Sequence, residues 1–449
     1  MSDDPIPSLT QALLDAARQA GADAADALVT AGTSLSIDVR DGRLEQAERS
    51  EGIELGLRVL IGRRQACVSA SDSRPETLAE MAGRAVAMAR EAPEDATVGL
   101  AEPSELARNR DAGFLELADP SPEPDPAALE DDARRAEAAA LAVPGVAQVQ
   151  SASAGYGHRR MMLAASNGFS GSYARTSRST SCVAISGEGS GMERDWCAES
   201  RTFQAELPSA DEIGRIAGAR AAALAGARRP KSGAFPVLFD ERVAASLIGH
   251  LLSAINGTAI VRGASWARDL IGRDVLPAEL SLIEEPHRPR IAGSRPFDSE
   301  GLATTRRALV ENGVLTGWVL DLASARKLGL SSTGNAVRPV SGPPSPAAGN
   351  VTLSPGALDR DALIAEMGTG LLVTSLIGST INPTTGDYSR GASGFWVENG
   401  RIAYPVNECT IAGHLPEMLR CLQPANDARD HLSRRVPSLL VEGMTLAGA

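Results

Sequence analysis

One histidine stands out among the residues able to do chemistry, because it lies within an apolar segment with helical periodicity. His250 follows Gly249 in "ERVAASLIGHLLSAING", residues 241–257. An imidazole there suggests a metal ligand, and a zinc peptidase of the HExxH type needs a second histidine four residues away and a glutamate that activates bound water. Ser246 and Leu247 occupy those two positions. The sequence alone therefore favours a histidine that packs in the core.

A second group of possible metal ligands lies near the C-terminus. Cys409, His414, Cys421 and His431 fall within 23 residues, with four, six and nine residues between successive members. These gaps match no zinc-finger pattern, and isolated cysteines and histidines are common both in cores and at surfaces. Coincidence is the favoured interpretation, and a metal site formed by the four residues stays open as the alternative.

A loop rich in hydroxyl groups forms a third candidate. Residues 376–394, "LIGSTINPTTGDYSRGASG", place several Ser and Thr side chains with Asn382 and Asp387 between two predicted strands. A nucleophilic hydroxyl needs a base, and no histidine or lysine lies nearby in sequence. We expect a polar loop whose side chains hydrogen-bond to their own backbone, with substrate contact as a secondary role.

A glycine-rich segment, "SGEGSGM" at residues 186–192, superficially resembles a phosphate-binding loop. Such a loop holds phosphate at the N-terminus of a following helix, whereas the residues that follow here, "ERDWCAES", have the pattern of a strand. The segment is therefore predicted to be a hairpin turn.

Several domains must position these candidates, because 449 residues exceed the size at which a single core keeps growing. Hydrophobic periodicity and proline-rich punctuation predict an α+β fold in which N-terminal α+β domains with antiparallel sheets precede a predominantly β, barrel-like C-terminal domain. The predicted units are an N-terminal domain (1–95), an acidic proline-rich connector (96–126), a central domain (127–228) and the C-terminal domain (229–449), which carries a helix at 241–256.

Composition narrows the class of protein. The formal charge of −12 and the dispersed basic residues argue against nucleic-acid binding. No apolar stretch approaches the length of a membrane span, and the acidic start "MSDDPIPS" lacks the basic region of a signal peptide. The five cysteines form no CxxC pair, which favours reduced thiols. We expect a cytoplasmic protein that binds neither nucleic acid nor membrane.

Longer stretches of the sequence resemble a known family. The segments "GASWARDLIGRDVL", "STGNA" and "NPTTGDYSRGASGFWVENG" resemble the C-terminal domain of the TldD/PmbA family. "SLSIDVRDGRLEQAERSEGIELGLRVLIGRRQACVSASD" and "AASNGFSGSYARTS" resemble its first and central domains. The resemblance covers nearly the whole chain. It implies one subunit of a two-subunit cytoplasmic peptidase, in which the TldD-type chain carries a HExxxH metal motif and the PmbA-type (TldE) chain lacks it.

The motif positions indicate which subunit type this chain resembles. Aligned with HExxxH, the first histidine is replaced by Ala245 and the glutamate by Ser246, and only His250 is retained. The resemblance also implies a ligand cysteine near the C-terminus of TldD-type chains, and Val436 stands at that position in a gapless alignment. The chain therefore resembles the PmbA-type subunit, with no catalytic residue, metal or cofactor of its own expected.

The resemblance implies a function shared with a partner. A TldD-like subunit would carry the zinc or iron, and the heterodimer would cleave unfolded or flexible peptides, including leader segments; homodimers of this chain alone are possible. One alternative is a stand-alone peptide-binding or regulatory module of the DNA gyrase modulator type. A self-sufficient hydrolase that uses His250 with the C-terminal Cys/His group ranks last, because the general base would still be missing.

Two loops are the predicted contributors to substrate binding, through backbone groups and polar side chains. They comprise Thr333, Gly334 and Asn335 in the first loop and Asn382, Thr385, Gly386 and Asp387 in the second.

Overall fold

The N-terminal half of the protein is built around one antiparallel sheet. The computed structural model describes residues 5–448. In residues 5–228 the helices are α1 (Pro5–Gln19), α2 (Pro75–Glu91), α3 (Pro126–Leu141) and α4 (Ala210–Ala223). The strands are β1 (Ala24–Arg40), β2 (Arg43–Ile61), β3 (Arg64–Ala70), β4 (Val146–Ala165), β5 (Ser170–Ser186) and β6 (Glu193–Arg201).

Pairing between β1 and β4 makes this sheet continuous. The strand order is β3-β2-β1-β4-β5-β6, and every neighbouring pair is antiparallel. The β1–β4 ladder runs from Asp26 opposite Ala165 to Val39 opposite Ala152. Strands from residues 24–70 and 146–201 therefore belong to one hydrogen-bonded surface, although separate helices cover its two halves.

Tight turns shape the hairpins of this sheet. Asp41 and Gly42 both have positive φ, 52° and 66°, and connect β1 to β2 in the two-residue turn that Asp-Gly favours. The glycine-rich segment 186–192 connects β5 to β6. This connection confirms the hairpin interpretation of that segment.

Each half of the sheet has its own apolar core. α1 and α2 pack against β1, β2 and β3 through buried side chains such as Leu13, Leu57 and Met81. α3 and α4 lie together over the other half. They approach so closely that a Cβ at Gly214 would lie 1.9 Å from the carbonyl oxygen of Ala136, so only glycine fits there.

The C-terminal part contains most of the shorter elements. Its helices are α5 (Glu241–Ala254), α6 (Gly257–Val261), α7 (Leu322–Leu328), α8 (Arg360–Met367) and α9 (Leu415–Arg420). Its strands are β7 (Gly233–Phe239), β8 (Leu282–Glu284), β9 (Arg307–Glu311), β10 (Val314–Leu315), β11 (Ala336–Val337), β12 (Ser345–Pro346), β13 (Val351–Leu353), β14 (Gly370–Ile381), β15 (Asp387–Glu398), β16 (Arg401–His414), β17 (Gln423–Pro424), β18 (Arg434–Arg435) and β19 (Leu439–Ala447). No helix within residues 5–448 is long and apolar enough to cross a membrane.

A closed barrel of five strands organises this part. The order β16-β15-β14-β7-β19 returns to its start because β16 also pairs with β19, through Thr410 opposite Ala447. Closure leaves no free edge between these strands. Leu247, Ile248 and Leu251 of α5 are fully buried in the same apolar cluster as barrel residues such as Val373. The mixed α+β fold with a barrel-like C-terminal domain is confirmed.

The proline-bearing connector is tied to the C-terminal part. The Arg326 guanidinium, on α7, donates to the carbonyl oxygens of Thr97 at 3.0 Å and Leu100 at 2.8 Å. Leu106 forms an isolated β-bridge with Leu302. The connector thus runs along the C-terminal domain before α3 begins at Pro126.

A buried ion triad joins the sheet to the C-terminal domain. The Asp26 carboxylate, on β1, accepts from Arg58 of β2 at 2.6 Å and also pairs with Arg338. All three residues are buried. Burial lowers the pKa of both guanidinium groups, that of Arg338 to about 10. The two cations therefore share this one carboxylate as their ion-pair partner.

Replacing Asp26 with Asn should destabilise the protein strongly, because Arg58 and Arg338 would stay buried without their anion. We expect a loss of about 3–5 kcal/mol in the free energy of unfolding, measured by urea denaturation. The control is Asp15→Asn, which removes the exposed Asp15–Arg18 pair at 2.9 Å and should cost less than about 1 kcal/mol. Equal losses in the two variants would contradict the importance of the triad.

Candidate functional site

Helix α5 begins at a buried and heavily paired carboxylate. Asp240 caps the helix by accepting from the backbone N–H of Arg242 at 3.2 Å. Its carboxylate also pairs with the guanidinium groups of Arg242 at 3.0 Å and Arg360 at 3.1 Å. Burial alone would raise the pKa of Asp240, but the arginines outweigh burial and hold the pKa below its usual value. The first turn of α5 is therefore firmly fixed.

The next turn presents two small side chains where a metal peptidase motif would have a ligand and a base. Ala245 and Ser246 are both half-buried. The Ser246 hydroxyl donates to the Val243 carbonyl oxygen at 2.6 Å, within its own helix. This local bond is a common way for a helical serine to satisfy its hydroxyl.

His250 packs against an aromatic ring one turn further along. Its imidazole meets the Tyr388 ring edge-on, with centroids 5.8 Å apart. His250 Nε2 and the Tyr388 hydroxyl are both buried without a hydrogen-bond partner. Burial, together with the nearby charges of Arg390 and Arg434, lowers the pKa of His250. The histidine is therefore a neutral residue at pH 7 that packs against Tyr388, as the sequence favoured.

A cavity of about 320 Å³ opens beside Ala245 and Ser246. Three guanidinium groups line it, those of Arg242, Arg390 and Arg434. Its remaining walls come from Trp196 of β6 and from residues of α5 and β14. We call this cavity the α5 pocket.

Two larger cavities, of about 530 and 570 Å³, lie over the middle of the first sheet. Arg159 and Arg175 line both. The larger one extends between the sheet and the C-terminal domain, where Phe297 and Arg434 form part of its wall. Arg434 therefore borders this interdomain cavity and the α5 pocket at once.

Comparison with known sequences identifies the family. Three family models match the chain: "PmbA/TldA metallopeptidase domain 1" over residues 25–89, the central domain over 119–225 and the C-terminal domain over 232–448. Metalloprotease PmbA of Escherichia coli O157:H7 is 34% identical over 95% of this chain and 92% of its own length. The chain belongs to the PmbA/TldD metallopeptidase family. A PmbA homologue of Haemophilus influenzae is 35% identical over 97% of this chain and 94% of its own length.

Solved structures of PmbA/TldD-like chains have the same fold. A candidate modulator of DNA gyrase from Bacteroides thetaiotaomicron superimposes with a TM-score of 0.92 at 27% identity, over the full length of both chains. TldE from Thermococcus kodakarensis gives a TM-score of 0.85 at 21% identity over 98% of this chain and all of that one. At that identity the TldE likeness shows the fold alone.

The family name implies a metal, and the residues of the α5 pocket do not fit one. A catalytic zinc site needs three or so nitrogen, sulfur or carboxylate ligands around an open position. Ala245 offers no ligand, the Ser246 hydroxyl is used within the helix, and Arg390 and Arg434 bring positive charge. Nowhere between residues 5 and 448 do three or more His, Cys, Asp or Glu side chains form a group that could hold a metal ion.

The remaining ligand candidates lie apart in the fold. Val436, at the position of the TldD-type cysteine, is buried in the C-terminal apolar core. The Cys409 thiol is buried and donates to the Ala392 carbonyl oxygen at 3.2 Å. His431 Nε2 lies 3.2 Å from a Glu199 oxygen, whereas Cys421 is exposed. The four C-terminal residues therefore do not converge.

The first predicted substrate loop is part of a buried network. Asn335 is 2% exposed, and its side-chain amide donates to a Glu284 oxygen at 2.7 Å while its carbonyl oxygen accepts from Arg307 at 3.0 Å. Thr333 bonds to the backbone of Leu320, and Gly334 takes a positive φ of 68°. In this conformation the Asn335 side chain holds the loop in place and is not open to a ligand. Substrate contact through this loop stays a prediction.

The second predicted loop is exposed and hydrogen-bonds to itself. The Asn382 side chain accepts from the backbone N–H groups of Thr384 at 3.0 Å and Thr385 at 3.3 Å. The Thr385 hydroxyl donates to the Asp387 carboxylate at 2.5 Å, and Gly386, with a φ of 87°, makes the turn. The expectation of a self-bonded loop is confirmed for residues 382–386 only, because residues 376–381 and 387–394, which the sequence placed in the same loop, belong to β14 and β15. Substrate contact through this loop also stays a prediction. The hydrogen-bond networks around Asn335 and around Asn382 have no residue in common.

The sequence did not point to the residues that line the α5 pocket. Arg390 lies two positions after Tyr388 on β15, so its side chain is on the same face of that strand. The alternation of side chains along β15 was the only sequence signal that could have placed Arg390 on the same side as Tyr388. Arg434 comes from β18 and Trp196 from β6, so only the fold brings them to α5.

Replacing His250 with Phe should be tolerated, because the imidazole packs and Nε2 has no partner. We expect a change of less than about 1.5 kcal/mol in the free energy of unfolding at pH 7.5. Tyr388→Ala should cost about 3–5 kcal/mol at the same pH, because it leaves a cavity. Urea denaturation of both variants provides the measurement.

Wild type and His250→Phe should also differ in how their free energy of unfolding responds to acid. The pKa of His250 is lower in the folded than in the unfolded chain, so the unfolded chain binds a proton first as the pH falls below about 6.5. Wild type then loses stability that His250→Phe cannot lose. The variant should therefore gain stability relative to wild type between pH 7.5 and 5. A relative loss would mean that the charged imidazole is stabilised in the folded protein.

Proposed function

We propose that this chain is the PmbA/TldE-like, non-metal subunit of a cytoplasmic TldD/TldE-type metallopeptidase. One observation supports the proposal: helix α5 is capped at Asp240 and carries Ala245 and Ser246 at the positions where the family resemblance places a metal ligand and a base. A glutamate is what would deprotonate a bound water, and none stands at the motif position. Zinc or iron, and with it the activation of water, belongs to a TldD-like partner.

The contribution of this chain is to shape the path of the substrate. The interdomain cavity of about 570 Å³ is bordered by β-strands and by polar and aromatic side chains, among them Tyr173 and Arg175. Such a groove suits an extended peptide, whose side chains can contact the polar and aromatic groups of its walls. The proposed substrates are therefore unfolded or flexible peptides, including leader segments.

Reconstitution tests the proposal. The purified chain, a TldD-type partner and a flexible peptide are combined, and cleavage is followed by mass spectrometry. We expect no cleavage by this chain alone, clear cleavage by the mixture, and a one-to-one complex in native mass spectrometry. A partner whose motif glutamate is replaced by glutamine serves as control and should abolish cleavage, whereas His250→Ala in this chain should leave it within about threefold.

Two outcomes would contradict the proposal. Cleavage by this chain alone that survives His250→Ala would show that it is a self-sufficient peptidase. Absence of both complex and cleavage, with peptide binding retained, would favour a stand-alone binding or regulatory module.

A further inference from the structure

The α5 pocket contains positive charge that no carboxylate neutralises. Arg242 is compensated, because it pairs with Asp195 at 3.1 Å and with Asp240 at 3.0 Å. Arg390 and Arg434 have no carboxylate within 4.0 Å among residues 5–448, and Arg390 Nε is buried without an acceptor. Both charges also act on His250. Two guanidinium groups without a carboxylate partner, that of the half-buried Arg390 and that of the exposed Arg434, therefore border one small cavity.

A buried hydroxyl adds a further donor. Thr374 lines the same pocket, is 6% exposed, and its Oγ1 has no hydrogen-bond partner. It lies at an irregularity of β14, where the β14–β15 register passes from Val373 opposite Gly394 to Ser375 opposite Ser393. Bulges of this kind redirect a side chain away from its regular position. A buried hydroxyl without a partner is costly unless a ligand or water satisfies it.

Small side chains on α5 border the pocket. Ala245 and Ser246 both line it and are among the smallest side chains, so they fill little of its space. Gly249 has the same effect one turn later, because a Cβ there would lie 2.9 Å from Arg434 Nη1. Small residues on α5 thus allow the Arg434 guanidinium to lie against the helix.

We propose that the α5 pocket binds a carboxylate group of a peptide, with Arg390 and Arg434 as the ion-pairing groups and Thr374 as a hydroxyl donor. Planar guanidinium groups match the two oxygens of a carboxylate. Arg434 also borders the interdomain cavity, so a peptide extended there reaches the pocket with its end or with an acidic side chain. The site is a property of this chain alone; that its ligand is a peptide rests on the proposed function.

Trp196 supplies the readout for a binding experiment. Its indole lines the pocket and is 50% exposed, whereas Trp318 and Trp396 are buried. The full chain is titrated with three forms of one flexible peptide, and tryptophan fluorescence is recorded with Trp196→Phe as the reference. The forms carry a free C-terminal carboxylate only, one internal Glu with an amidated C-terminus, or neither.

We expect at least one carboxylate-bearing peptide to bind roughly ten- to a hundredfold more tightly than the peptide with neither group, as charged hydrogen bonds predict. The stronger of the two identifies a terminal or a side-chain carboxylate as the ligand. Inorganic phosphate at the same concentration should compete weakly. Equal binding of all three peptides, or phosphate binding as tight as the peptide, would overturn the proposal.

Matched variants locate the site. Arg390→Met and Arg434→Met should each reduce the preference for the carboxylate at least tenfold, and Ala245→Met should reduce binding by filling the pocket while keeping its charges. Arg435→Met is the control, because Arg435 adjoins Arg434 in sequence but pairs with Asp430 at 2.6 Å. Circular dichroism checks that each variant is folded. An unchanged preference in folded Arg390→Met and Arg434→Met would overturn the proposal.

The outcome is independent of the reconstitution experiment, because no partner is present. Selective carboxylate binding without cleavage by the mixture would refute the subunit assignment and keep the site. Cleavage by the mixture without selective carboxylate binding would support the subunit assignment and refute the carboxylate site.

Discussion

The shared carboxylate of Asp26 is the interaction on which the arrangement of the two halves depends. It lies on a central strand of the first sheet and pairs with Arg58 from the next strand and with Arg338 from the C-terminal domain. Removing one partner of a buried ion pair costs far more free energy than the intact pair contributes to stability. Such pairs therefore fix an orientation more than they add stability. With the Asp26 pairing in place, the C-terminal domain has one position on the sheet in which both buried guanidinium groups are compensated.

Close packing around the triad restricts the same contact sterically. A Cβ at Gly56 would lie 2.2 Å from the Val340 carbonyl oxygen, so the chain after Arg338 approaches β2 as closely as backbone allows. Glu300 lies near enough to act on Arg58, and burial followed by the charge of Asp298 raises the pKa of Glu300. A carboxyl that stays protonated at neutral pH adds little compensation. Asp26 is therefore the carboxylate that pairs directly with both guanidinium groups, whereas Asp321 acts on Arg58 from a greater distance, and Arg338 also lines the interdomain cavity.

Structural features formed by residues close in sequence could be predicted, whereas contacts between residues far apart in sequence could not. The helix at 241–254, the turn at Asp41 and Gly42 and the self-bonded loop after Asn382 all follow from spacing, capping and turn chemistry within a few residues. The Asp26–Arg338 pair spans 312 positions, and Arg390 and Arg434 meet at α5 from different strands. Charged residues at such positions look like any solvated arginine until the fold places them. The comparison of Ala245, Ser246 and His250 with HExxxH rests on the family resemblance alone, because no spacing within this sequence marks those positions.

The residues that line the α5 pocket disfavour a divalent cation. Such a cation would be repelled by Arg390 and Arg434, and Ala245 and Ser246 offer no imidazole or carboxylate that could offset this repulsion. The stability of α5 does not depend on the small side chains that line the pocket. It comes from the N-cap Asp240 and from the buried leucines that face the barrel. The ions that the α5 pocket attracts therefore depend on the side chains that line it, and these side chains can differ without repacking of the core beneath α5.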